Sequence, residues 1–157
     1  MMDTPLFFGQ MGTALAIGLA AVGSALGCGV AGQSAAGAWA KDAKAGKGIR
    51  FVYVILVALP ITQTLYGMIV MNSIAEKLAV AGAHAGLLFG VGLATGLGEL
   101  LSAWMQGAIG AAGCRMLSES DGKGFALVII AMGIAESVGL LVFVFMRGPL
   151  GTIVVGG

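Results

Sequence analysis

Apolar residues in this chain run in long stretches, broken by three short polar joints at residues 39–48, 75–84 and 118–123. Backbone N–H and C=O groups cannot stay unpaired in lipid, so apolar spans of this kind cross a membrane as helices or as strands of a closed barrel. Their length and continuous hydrophobicity select helices. Four are predicted, at about residues 6–38, 49–74, 81–117 and 124–146, the third starting within the second joint. The expected fold class is therefore all-α integral membrane, with four transmembrane helices.

Composition strengthens this reading. The chain has 157 residues, of which 59% are hydrophobic and only 10% charged, and its mean hydropathy is +1.02. A soluble domain carries about 25% charged residues. A net charge of +1 gives no reason to expect a nucleic-acid partner. Cys28 and Cys114 have neither CxxC nor metal spacing and read as small packing residues. The first residues carry Asp3 and no basic residue, unlike the basic start of a cleavable signal peptide.

The basic residues are asymmetric. Lys41, Lys44, Lys47 and Arg50 cluster at the first joint, and Arg115 and Lys123 at the third, whereas only Lys77 and Arg147 lie at the opposite ends. Positive residues stay on the cytoplasmic side, so loops 39–48 and 118–123 are expected in the cytoplasm and both termini outside. The halves also resemble each other at an offset of 76 residues. Ala35-Ala36-Gly37 recurs as Ala111-Ala112-Gly113, and Gly46-Lys47-Gly48 as Gly122-Lys123-Gly124. This is read as a tandemly duplicated hairpin of parallel orientation, residues 1–76 and 77–157. At the same offset Pro60 stands in the place of Glu136 and Val30 in that of Gln106. The first and third helices are rich in glycine, including Gly23-xxx-Gly27, which lets helix backbones approach closely. They are expected to form a tight inner layer behind two bulkier, lipid-facing helices.

The candidate chemistry centres on Glu136, in the middle of FALVIIAMGIAESVGLLVFVFM. A carboxylate at that depth is costly, faces the protein interior and marks a functional site by default. The second helix reads LPITQTLYG, where Pro60 frees nearby carbonyls from the helix ladder. Thr62, Gln63 and Tyr66 follow at spacings that share a face. Gln106 offers an amide from the third helix. Hard cations select oxygen ligands. A site that only exchanged protons would need little beyond a desolvated carboxyl, so two glutamines and a threonine around one glutamate point to Na+, with H+ as the alternative.

Taken together, the LPxTQxLYG pattern, the Gln106-Gly107 pair and the mid-span Glu136 resemble the rotor-ring proteolipid (K or c subunit) of bacterial, sodium-translocating V-type ATPases, over essentially the whole chain. The resemblance implies a homo-oligomeric ring in the plasma membrane. The ring would turn against a stator subunit with an essential basic residue, and central-stalk subunits would link it to ATP hydrolysis elsewhere. It implies that Glu136 is the ion-carrying carboxylate, that Thr62, Gln63 and Gln106 give side-chain oxygens to Na+, and that Leu59 gives its carbonyl. Tyr66 would lock the site by a hydrogen bond to Glu136. Glu99, seven residues before Gln106, departs from the pattern. It is readable as a second ion or proton site, as a group on an access path, or most simply as a protonated interhelical hydrogen bond. His84 reads as a solvated joint residue, and Trp39 and Arg115 as anchors at the membrane boundary. The GKG triplets lack the flanking residues of a phosphate loop, so the chain is expected to be no enzyme by itself. A small four-helix secondary transporter with one essential glutamate is the competing reading.

Overall fold

The computed structural model describes residues 3–154, and these form four helices long and apolar enough to cross a membrane. They are α1 (Thr4–Lys44), α2 (Val52–Ala75), α3 (Leu78–Glu119) and α4 (Phe125–Gly151). The expected termini include residues 1–2 and 155–157, which lie outside the described residues.

The small residues decide how the helices meet. α1 and α3 lie against each other along most of their length, with glycine on both sides of the contact. A Cβ on Gly12 would strike the Leu88 carbonyl, and one on Gly27 the Ala103 carbonyl. Each of these pairs is 76 residues apart, the repeat offset read from the sequence. Equivalent points of the two halves therefore sit at the same level, as parallel repeats require. Gly92 and Gly107 return the contact against the backbones of Gly12 and Gly27. Packing of this kind drives helix association in lipid, where there is no hydrophobic effect between helices. α2 packs on α1, with Gly67 against Ala16 and Ala20, while α4 packs on α3, with Val142 over Gly98. The outward face of α4 carries Leu127, Ile130, Ile134, Val138, Leu141 and Phe145, all exposed. Recurring every three or four residues, they form the lipid-facing stripe of an outer helix.

Two helix ends differ from expectation by more than three residues. α1 continues through residues 39–44 of the first joint, up to Lys44. Lys41 and Lys44 in its last turn suit the negative end of the helix dipole, and Asp42 is absorbed by partners rather than by water. α4 continues past residue 146 to Gly151 with Pro149 inside it. Here the missing donor falls in the last turn, and Leu150 and Ile153 are held in a cluster with Val70, Ile74 and Leu88. His84 is helical, because α3 begins before it.

Asp42 anchors the basic end of the bundle. Its carboxylate is buried and accepts from the Tyr53 hydroxyl at 2.7 Å and the Ser118 hydroxyl at 3.0 Å, with Arg50 Nε 3.5 Å away. Arg50 also donates to the Leu117 carbonyl at 3.0 Å and pairs with Asp121, while Trp39 Nε1 donates to the Arg50 carbonyl at 2.8 Å. One buried acid thus ties α1, α2, α3 and the last joint together. Hydrogen bonds from Lys47 and Arg50 hold the Asp121 carboxyl below the usual range. Its ion pairs are at full strength above the ordinary carboxylate range, about pH 4, and fade as pH falls through the lowered value. Removing one partner of a buried, paired charge costs about 3 kcal/mol. Asp42→Ala is therefore expected to lower the thermal unfolding midpoint of the detergent-solubilised protein, whereas Asp121→Ala, at an exposed pair, leaves it nearly unchanged.

Candidate functional site

Pro60 shapes the site before any polar group enters it. Lacking an N–H, it cannot donate to the Leu56 carbonyl, and α2 tightens into a 3₁₀ turn over Leu59–Ile61. Such a turn is a common adjustment where a proline interrupts a membrane helix. The next residues, Thr62 and Gln63, are thereby turned toward α3 and α4. Pro60 itself is buried against Gly27 of α1.

The predicted constellation comes together. Thr62 Oγ1 lies 2.9 Å from Glu136 Oε1, 3.1 Å from Gln63 Oε1 and 3.1 Å from the Leu59 carbonyl oxygen. A hydroxyl has one proton and can satisfy only one of these three acceptors. The other two acceptors around Thr62 Oγ1 are left without its proton. Gln106 Nε2 donates to Glu136 Oε2 at 3.2 Å and to the Met132 carbonyl at 3.3 Å. The Tyr66 hydroxyl donates to Glu136 Oε1 at 3.5 Å, a long bond. Tyr66 is oriented by stacking on Phe143, centroid to centroid 5.2 Å, with Arg147 over the Phe143 ring. Gln63 and Gln106 are fully buried, while Glu136 is only partly so. The carboxylate therefore sits at the edge of the bundle, backed by amides and reachable from one side.

Two placements differ from the sequence reading. Gln106 turns its amide nitrogen toward Glu136, because its Oε1 accepts from Gln63 Nε2 at 3.1 Å. Glu99 is fully buried on α3, yet neither of its oxygens has a hydrogen-bond partner among the described residues. The expected interhelical hydrogen bond is not formed, because α4 meets this carboxyl with Gly139, which has no side chain to offer.

Sequence reasoning missed Ser102. Its hydroxyl accepts from Gln63 Nε2 at 3.2 Å and donates to the Ala135 carbonyl at 2.9 Å, fastening α2 and α4 to α3. The signal was its position four residues before Gln106, on the same helical face. A second unforeseen bridge, Thr64 Oγ1 to Ser24 Oγ at 2.7 Å, joins α2 to α1. Cys28 and Cys114 are free thiols.

The same two-hairpin division appears in the similarity to known proteins. The family of ATP synthase C subunits matches the chain twice, over residues 11–74 and 89–146. Each match covers one hairpin, α1–α2 or α3–α4. The chain is also 36% identical over 148 residues to the A-type ATP synthase subunit K of Methanocaldococcus jannaschii, covering 92% of this chain and 64% of that protein. This chain thus spans less than two thirds of that relative's length.

Proposed function

This chain belongs to the family of ATP synthase C subunits, and from that premise we propose that it is the ion-carrying rotor subunit of a V- or A-type rotary ATPase, with Glu136 carrying Na+. The observation that carries the sodium reading is the surplus of acceptor oxygens around Thr62. Glu136 Oε1, Gln63 Oε1 and the Leu59 carbonyl oxygen all lie within 3.1 Å of Thr62 Oγ1. A carboxylate, an amide and a backbone oxygen gathered around one hydroxyl are the oxygen donors that a hard cation selects. Gln106 adds a further oxygen only with its amide turned over, which gives up its bonds from Gln63 and to the Met132 carbonyl in exchange for a bound cation. The specific observation favouring H+ instead is the nitrogen of Gln106 facing the carboxylate.

In this function, copies of the chain close into a ring with α1 and α3 on the inside and the Glu136 edge outward. Loops 39–48 and 118–123 face the cytoplasm, with both termini outside the plasma membrane. The two hairpins divide at residues 76 and 77. An ion enters beside the stator subunit, neutralises Glu136 and allows the occupied site to pass the lipid, where a bare carboxylate would be costly. A basic residue of the stator displaces the ion at the exit. ATP is handled by other subunits, reached through the central stalk, and this chain does no bond chemistry. Membership of this family sets aside the secondary transporter.

Removing one oxygen from the cluster should weaken Na+ more than it disturbs the fold. Losing a hydrogen-bonding or ligating group to a charge costs about 1.5–3 kcal/mol, or at least about tenfold in affinity. Thr62→Ala is expected to raise the Na+ concentration for half-saturation of the purified oligomer by that factor. Unchanged Na+ affinity in Thr62→Ala, or no saturable Na+ binding in the parent protein, would exclude the sodium reading.

A further inference from the structure

A column of polar side chains continues beyond the Glu136 cluster along one face of α3. Thr95, Glu99 and Ser102 are separated by four and three residues, so they stack in successive turns. All three are buried, Thr95 and Glu99 completely. Thr95 Oγ1 and both oxygens of Glu99 are the three buried side-chain atoms without a partner among the described residues. Buried polar groups are almost always paired, and an orphan calls for an explanation.

Gly139 of α4 closes this space. A Cβ at that position would lie 2.7 Å from Glu99 Oε2 and 2.9 Å from Ser102 Oγ. The missing side chain is thus what lets both oxygens reach the α4 backbone, one turn from Glu136. The other groups facing Glu99 bring no positive charge. Glu136 lies on α4 and Tyr66 on α2, and α1 offers Leu19 and Gly23 at this level. Its charged residues Lys41, Asp42 and Lys44, and Asp3 just before it, are at its ends, and its thiol, Cys28, is more than a turn away from Gly23.

An ionised Glu99 would stand near a second carboxylate, with no cationic side chain facing it and no donor within hydrogen-bond reach of its oxygens among the described residues, which buried charges do not tolerate. A metal cation does not suit the gap. The site supplies the carboxyl pair and the free Thr95 hydroxyl, whereas the Ser102 hydroxyl is already engaged twice. Too few oxygens remain for a hard cation, but a single proton needs none.

We propose that Glu99 is a second carrier group: it binds a proton, as a neutral carboxylic acid, beside the Glu136 ion site. Each chain then holds one exchangeable proton at Glu99 in addition to the ion at Glu136. The step is simple association: a proton from the aqueous phase joins a carboxylate oxygen, and returns to water when it leaves. The proposal rests on the reading of Glu136 as the ion site, and the two can fail separately.

The test is infrared difference spectroscopy of the full-length oligomer in lipid, comparing the parent protein with Glu99→Gln and Glu136→Gln. The carboxylic acid carbonyl absorption is followed on adding Na+ and on changing to D2O. Expected is one acid band that vanishes only in Glu99→Gln, persists in saturating Na+ and shifts in D2O within minutes. A second band, lost in Glu136→Gln, should disappear on adding Na+. The proposal is overturned if Glu99→Gln removes no acid band, if Na+ removes the Glu99 band, or if that band resists D2O for hours as a sealed structural acid. A Glu136 band indifferent to Na+ would instead count against the sodium reading alone. Gly139→Ala gives an independent check: a methyl pressed on the Glu99 oxygen should displace the Glu99 band and leave the Na+ response of Glu136 in place.

Discussion

Glu136→Gln is expected to abolish saturable Na+ binding by the purified oligomer, weakening it at least a hundredfold. The substitution keeps the length and shape of the side chain and retains an oxygen able to accept from Thr62 or Tyr66. What it removes is the negative charge. The oxygens that remain, on Thr62, Gln63 and the Leu59 backbone, are all neutral. Removing the counter-charge of a partly buried ion costs about 3–5 kcal/mol, which is a factor of a hundred or more. Oligomer size and helix content should be unchanged, because the bonds from Gln106 and Ser102 that tie α3 to α4 also end on the backbone carbonyls of Met132 and Ala135. Equilibrium dialysis with radioactive Na+ measures the first quantity, and size-exclusion chromatography with circular dichroism the second. Na+ affinity within tenfold of the parent would mean that the charge lies elsewhere.

Gly107→Val is expected to prevent the chain from folding, and Gly107→Ala to destabilise it by about 3 kcal/mol, the upper part of the range for overpacking. The reason lies in what the added carbon would meet. At Gly107 it would run into the backbone of Gly27, its Cα and its carbonyl, and neither can rotate aside. To admit it, α1 and α3 must separate, and the close contact around Gly27 and Gly107 opens with them. Gly29→Ala, on the same glycine-rich α1, would meet nothing within 4 Å in the single chain and should leave the thermal unfolding midpoint of the dissociated chain where it was. The comparison separates tight contact from mere glycine content. Equal unfolding midpoints for Gly107→Ala and Gly29→Ala would refute the packing argument.

The sequence carried the helices because spans of this length in lipid have few alternatives, and the four apolar stretches could be marked from hydropathy alone. The inner pair was legible for a related reason: only helices in close backbone contact have a use for so many glycines. Glu136, Thr62, Gln63, Tyr66 and Gln106 stood out because each polar group at that depth needs a reason. Hydropathy was blind where charge is absorbed by structure. Asp42 falls within the polar joint 39–48, yet Tyr53, Ser118 and Arg50 converge on it and α1 continues to Lys44. Ser102 was passed over because a serine on a helix rich in small residues reads as another small packing residue. Glu99 could be placed on its face by counting, but the lack of any partner depends on Gly139 of another helix. No spacing within α3 contains that information.

If the Glu136 carboxyl carries an exchangeable cation, Na+ and H+ must compete for it. Carbodiimide labelling of the purified oligomer, with the adduct located by mass spectrometry with and without Na+, tests that competition most directly. These reagents attack a protonated carboxyl, and bound Na+ removes that proton. The predicted result is an adduct at Glu136 that Na+ suppresses. An adduct at Glu136 that Na+ leaves untouched would give the site to H+, and no adduct at Glu136 under either condition would contradict its role as the carrier.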